Sequence, residues 1–223
     1  MTTLHPTSNK ARLAAGAAVL SAASELPTRP ISQRLMAFRK VHAALVRAEA
    51  HIDAAEARLQ EAQRALAEAD VDQDAVIDPL ADALVGVGLP RGNPFKGLAL
   101  RSPSRMKAMG YGAEAEALLK LLERVRKRKG LTPAVKAACR RAEAAARAVL
   151  VALKPLGAME ASLANARARR DALTLGWETA FAALKRAARS ADDDGGAYFA
   201  TLFQATATEP SRAARAAADA PTA

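Results

Sequence analysis

Aromatic side chains make up only 4% of the 223 residues. Packing must therefore come from aliphatic and small side chains. Runs of β-branched and aromatic residues with period two are absent, which leaves no strand candidates. No stretch of about 18 strongly apolar residues occurs, so no transmembrane helix is expected. The single cysteine, Cys139, excludes an intrachain disulfide and zinc sites of the CxxC type. A reducing compartment, the cytoplasm, is the simplest fit.

Histidine is nearly as scarce: His5, His42 and His51. The last two are nine residues apart, roughly 900° of helical rotation, and so on opposite faces. Neither has a glutamate three residues before it, as a helical di-iron site requires. Neither is expected to bind a metal. Cys139 falls on the stripe Val135, Cys139, Ala142, Ala146, Val149, which reads as a small buried hydrophobe. Glycines surround Lys96, but Gly-x4-Gly-Lys-Ser/Thr is not present and no strand precedes the segment, so this is not a nucleotide loop. With no nucleophile–base pair and no cofactor motif, the reading is non-enzymatic. Lys10 and Arg12 before the run 13–23 have the outline of a secretory signal. That run is mostly alanine, and an amphipathic first helix fits it better than an export signal.

What is abundant is helix-forming sequence. Phe38, Leu45, Ile52, Leu59 and Leu66 recur every seventh residue, and Val41, Ala48, Ala55 and Ala62 follow three residues after the first four. A large position alternating with a small one predicts a seam that lets a second helix approach closely. The expected fold is all-α: an elongated antiparallel helical bundle with long coiled-coil-like helices. Residues 1–9 read as a disordered start, 10–205 as a single bundle domain and 206–223 as a disordered tail. Helices are predicted at about 10–25, 31–70 and 73–86, the third capped by Asp70 or Asp72 and distorted by Pro79. A helix at 113–129 and a long one at 133–191 follow, kinked at Pro155. Gly130 and Thr132–Pro133 join these two as an antiparallel hairpin. Tyr198 to Phe203 reads as a short docking helix.

Residues 86–112 break this pattern. Six of the twelve glycines lie here, with five basic residues and no acidic one. The formal charge is +5 over 91–112, +3 over 113–130 and +4 over 131–154, so this stretch alone holds +12 of a chain whose net charge is +10. Such a concentration attracts anionic partners. The candidate contact residues are Arg91, Lys96, Arg101, Arg105, Lys107, Arg126, Lys127, Arg128 and Lys129, with Phe95 and Tyr111 as candidate base-stacking rings; the alternative is that Phe95, Leu98, Leu100, Met106 and Met109 fold the loop onto the bundle. The leading functional expectation is a structural or protein-interaction bundle, self-association included. The alternative is sequence-independent binding of nucleic acid or another polyanion through 91–130.

Overall fold

A computed structural model describes residues 6–99 and 101–203. The protein is all-α, and no strand occurs among the described residues. Its helices are α1 (Asn9–Ala22), α2 (Ser32–Val85), α3 (Pro103–Lys107), α4 (Tyr111–Arg126), α5 (Pro133–Leu153), α6 (Leu156–Asp193) and α7 (Tyr198–Phe203). The tail read as disordered lies outside the described residues. No helix among those described is long and apolar enough to cross a membrane. The chain forms two compact units: Ala54–Leu163, and the residues up to Asp53 together with those from Ala164 onward.

The terminal unit is built from α1, the first part of α2, the later part of α6, and α7. Ser8 caps α1, its hydroxyl accepting from the Ala11 amide at 3.2 Å. Pairings run antiparallel: Phe38, His42 and Glu49 of α2 meet Phe181, Trp177 and Arg170 of α6. Of the chain's eight aromatic residues, six lie in this unit: Phe38, Trp177, Phe181, Tyr198, Phe199 and Phe203. Trp177 stacks on Phe181 with centroids 4.6 Å apart, while Phe38 meets Trp177 edge-on at 5.5 Å. Such pairs add about 0.5–1.5 kcal/mol each beyond their buried area. The Trp177 indole N–H donates to His42 Nδ1 at 3.2 Å, so this buried imidazole is neutral with its proton on Nε2. Asp192 closes the unit: its carboxylate accepts from the Tyr198 and Phe199 amides at the start of α7.

The central unit is aliphatic. Leu66, Ile77, Leu80 and Leu84 of α2 pack with Leu118, Leu121, Leu122 and Val125 of α4 and with Val135, Ala138, Ala142, Ala146 and Val149 of α5. Helices α4 and α5 are antiparallel. Arg126 meets Glu143 near their junction, and Gly112 lies against Leu153 at the far end. Gly130, at φ +76°, makes the turn that a side chain would strain, and the Thr132 hydroxyl caps α5 through the Val135 amide. At Pro155 the break is local. Lys154 keeps helical angles, and the Met159 amide donates to the Pro155 carbonyl at 3.0 Å.

One expectation needs correction. The helices expected at 31–70 and 73–86 are one: α2 runs unbroken for 54 residues. Neither Asp70 nor Asp72 caps anything, because the buried stripe Leu66, Gln73, Ile77, Leu80, Leu84 continues through them at helical spacing. Pro79 is accommodated inside the helix. It is exposed, and so is Ala75, whose carbonyl loses its amide partner and faces water. The Ser102 side chain makes no cap for α3, and Gly110 precedes α4 as its N-cap residue.

Gly16 is where α1 comes closest to α2: a Cβ there overlaps the His42 ring. Gly16→Ala is expected to lower stability by about 1–3 kcal/mol, because overpacking outweighs the helix preference for alanine. Gly176→Ala, on an open face of α6 with nothing within 4 Å, is expected to raise it by about 0.5–1 kcal/mol. Urea unfolding followed by Trp177 fluorescence measures both. Equal effects of the two substitutions are inconsistent with the close approach.

Candidate functional site

The basic loop is not the flexible arm its glycines suggest. Leu89, Pro94, Phe95 and Leu98 are buried. The Asn93 side chain accepts from the Phe95 amide at 3.2 Å, and Arg124 Nη1 donates to the Leu98 carbonyl at 2.9 Å. Gly88 and Gly97, at φ +91° and +78°, turn the chain so that Phe95 plugs the central core. Phe95 is fully buried and cannot stack on a base. Tyr111 remains exposed at the start of α4.

The nine candidate cations therefore do not act as one arm. Arg91 and Lys96 are exposed on the loop, and Arg101 is exposed at its end. Arg105 is exposed on α3, while Lys107 on the same helix is tied to Asp78 of α2 at 2.8 Å. Arg126 pairs with Glu143, which also holds Arg147 at 2.8 Å. The two guanidinium groups hold the Glu143 carboxyl below its ordinary range, the Arg126 hydrogen bond being the larger cause.

The last three, Lys127, Arg128 and Lys129, are exposed in the α4–α5 turn. The fold adds two residues that were not candidates. Lys136 and Arg140, one helical turn apart on α5, share a surface hollow with Arg126, Leu131 and Cys139. Both are exposed. Their i,i+4 spacing just past a hairpin turn was the available signal, since an antiparallel hairpin returns such a face to the turn. These five have no ion pair among the described residues. Cys139 beneath them is buried in the central core, and desolvation pushes its thiol pKa up despite Arg126 nearby.

The large seam residues other than Leu59 are the buried ones. Phe38, Leu45, Ile52 and Leu66 are buried, while Leu59, Val41, Ala48, Ala55 and Ala62 are partly buried. His42 is buried and His51 exposed on the opposite face. Burial lowers the His42 pKa. Among the described residues no three His, Cys, Asp or Glu side chains form a cluster that holds a metal ion.

One polar group was missed altogether. Glu114, 1% exposed on the first turn of α4, sits beside Gln73 of α2, which is 0% exposed. Gln73 Nε2 and Oε1, Asp74 Oδ1 and Glu114 Oε1 have no hydrogen-bond partner among the described residues. A glutamate in a first turn reads in sequence as dipole compensation, which hides its burial. Desolvation pushes the Glu114 carboxyl up to about 7, with the charges of Asp74 and Asp70 adding to the rise and Gln73 opposing it.

No protein-family model matches the chain, and no curated protein or solved structure matches it either.

Because the folded pKa of Glu114 lies above its ordinary 4.5, the folded state keeps a proton that the unfolded chain has released. Its contribution is complete below about pH 4.5 and is lost as pH rises through about 7. Glu114→Gln is thus expected to stabilise the protein by roughly 2–3 kcal/mol at pH 8 and to change little at pH 4. Denaturant unfolding followed by helical circular dichroism at the two pH values checks this. An equal effect at both rules out the buried carboxylate as the cause.

Proposed function

We propose that this chain is a non-catalytic interaction protein that docks an anionic partner on the α4–α5 turn. One observation carries the reading. Five exposed cations with no ion pair among the described residues converge there, and Lys136 sits against the dipole of α5. Lys136 is in the first turn of α5 and no acidic residue accompanies it. A cation at a helix N-terminus costs stability, on the order of 0.3–1 kcal/mol, where an acid would add it. Lys127 to Lys129 alone are explained by compensation at the end of α4. Lys136 and Arg140 are not, and a partner that rewards positive charge accounts for them.

Exposed large apolar side chains, Met36, Val46, Val71, Tyr111, Val151 and Leu175, are scattered over α2, α4, α5 and α6. That distribution favours a charged interface over an apolar one for any partner, a second copy included.

A second reading makes the partner a nucleic acid, bound through phosphates without regard to sequence. The long, mobile-headed Lys and Arg side chains at the turn suit it, as point contacts to a backbone do not demand fixed geometry. Labelled duplex DNA and poly-glutamate are titrated separately at about 50 mM and about 200 mM salt. Binding of DNA that weakens at least about tenfold between these salts, and is lost when Lys127, Arg128 and Lys129 become Gln, supports the nucleic-acid form. Binding of poly-glutamate alone supports an acidic protein partner. Binding of neither, or binding indifferent to the triple substitution, retires the turn as the working surface.

A further inference from the structure

A groove of about 350 Å³ runs between the end of the basic loop, α3 and α4, within the central unit and apart from the α4–α5 turn. Its floor is apolar. Leu98, Met106 and Leu121 are buried beneath it, and Met109 is half-buried at its side. Ala113 and Ala117, one turn apart on α4, present methyl groups where larger side chains would fill the space. The methionines give it an adaptable lining.

The rim is cationic. Arg101, Lys120 and Arg124 line it against one acid, Glu116. The Glu116–Lys120 contact is 3.7 Å long between side chains 62% and 71% exposed, so it holds the lysine only weakly. Arg124 is oriented by its hydrogen bond to the Leu98 carbonyl through Nη1, which leaves its other N–H groups for a ligand. An apolar slot with a few convergent polar groups is the general form of a small-molecule site.

We infer that this groove binds a small amphipathic organic anion: an unbranched apolar body lying on the methionines and alanines, with a carboxylate or similar head held by Arg101, Lys120 and Arg124. Size decides between a small molecule and a protein segment. The volume falls at the small end of ligand pockets, roughly 300–1,000 Å³. A stable protein interface needs about 800 Å² on each partner. The sign of the rim decides the head group.

The test is calorimetric titration of the full chain with dodecanoate below its micelle concentration. Dodecanol and dodecyltrimethylammonium serve as neutral and cationic probes of the same length. Dodecanoate is expected to bind one saturable site, at least about tenfold more tightly than the cation. Arg101→Glu with Lys120→Glu should weaken dodecanoate at least about tenfold and leave dodecanol unchanged. Ala117→Leu, a half-buried position on a helix that tolerates leucine, should fill the floor and abolish both. Circular dichroism verifies that each variant keeps its helices. Equal affinity for anion and cation, undiminished binding in Ala117→Leu, or no saturable binding overturns the assignment. The triple substitution at the α4–α5 turn is expected to leave dodecanoate binding untouched, which separates the two sites.

Discussion

One uninterrupted helix supplies both cores, and most of the architecture follows from that constraint. Helix α2 gives Phe38 and Leu45 to an aromatic core, then Leu66, Ile77, Leu80 and Leu84 to an aliphatic one. The change in chemistry falls near the boundary between the units. Between Ile52 and Leu66 the only large seam residue is Leu59, which is partly buried, and the boundary between the units falls at Asp53 and Ala54. No glycine or proline interrupts α2 there, and helix-forming residues carry it across the boundary.

Each core also encloses polar chemistry, with opposite outcomes. In the terminal unit His42 is satisfied by Trp177, and both sit among rings. The hydrogen bond contributes only about 1 kcal/mol, but it fixes the tautomer and the ring orientation, which is why α1 approaches there with glycine. In the central unit Glu114 and Gln73 are buried without geometrically sound partners. An unsatisfied buried polar group costs about 1–3 kcal/mol, and a charged one more, so the carboxyl relaxes by holding its proton.

Helix ends with strong local chemistry were legible in the sequence: Gly130 as a left-handed turn, Thr132–Pro133 as a start, and Asp192 to Gly196 as a stop before a docking helix. Periodicity identified the buried members of the seam by type. What failed were positions where one residue has two local meanings. Asp70 and Asp72 read as caps, yet an aspartate inside a long amphipathic helix looks the same locally; only the partner packed on Gln73 and Ile77 decides. Phe95 read both as a ring able to stack on a base and as one that folds the loop onto the bundle; the turns at Gly88 and Gly97 decide for the second. Lys136 and Arg140 were overlooked because their relation to Arg126 exists only once the hairpin closes.

The distribution of acid explains why the positive excess ends up where it does. Between Asp70 and Asp82 α2 carries five aspartates, the densest acidic stretch facing the basic half of the chain. Asp78 neutralises Lys107, while Asp70 and Asp74 flank Glu114. Of the acids near the turn, Glu123 acts on Arg126, and Glu143 is shared by Arg126 and Arg147. None of these reaches Lys127, Arg128, Lys129, Lys136 or Arg140. Like charges brought together on a surface repel by several tenths of a kcal/mol per neighbouring pair, and salt reduces that cost without removing it. A turn built only for folding would do better with one acid among them. Retaining Lys136 and Arg140 beside the three cations that compensate the end of α4, where the fold gains nothing from these two, is the physical reason to look for a partner there.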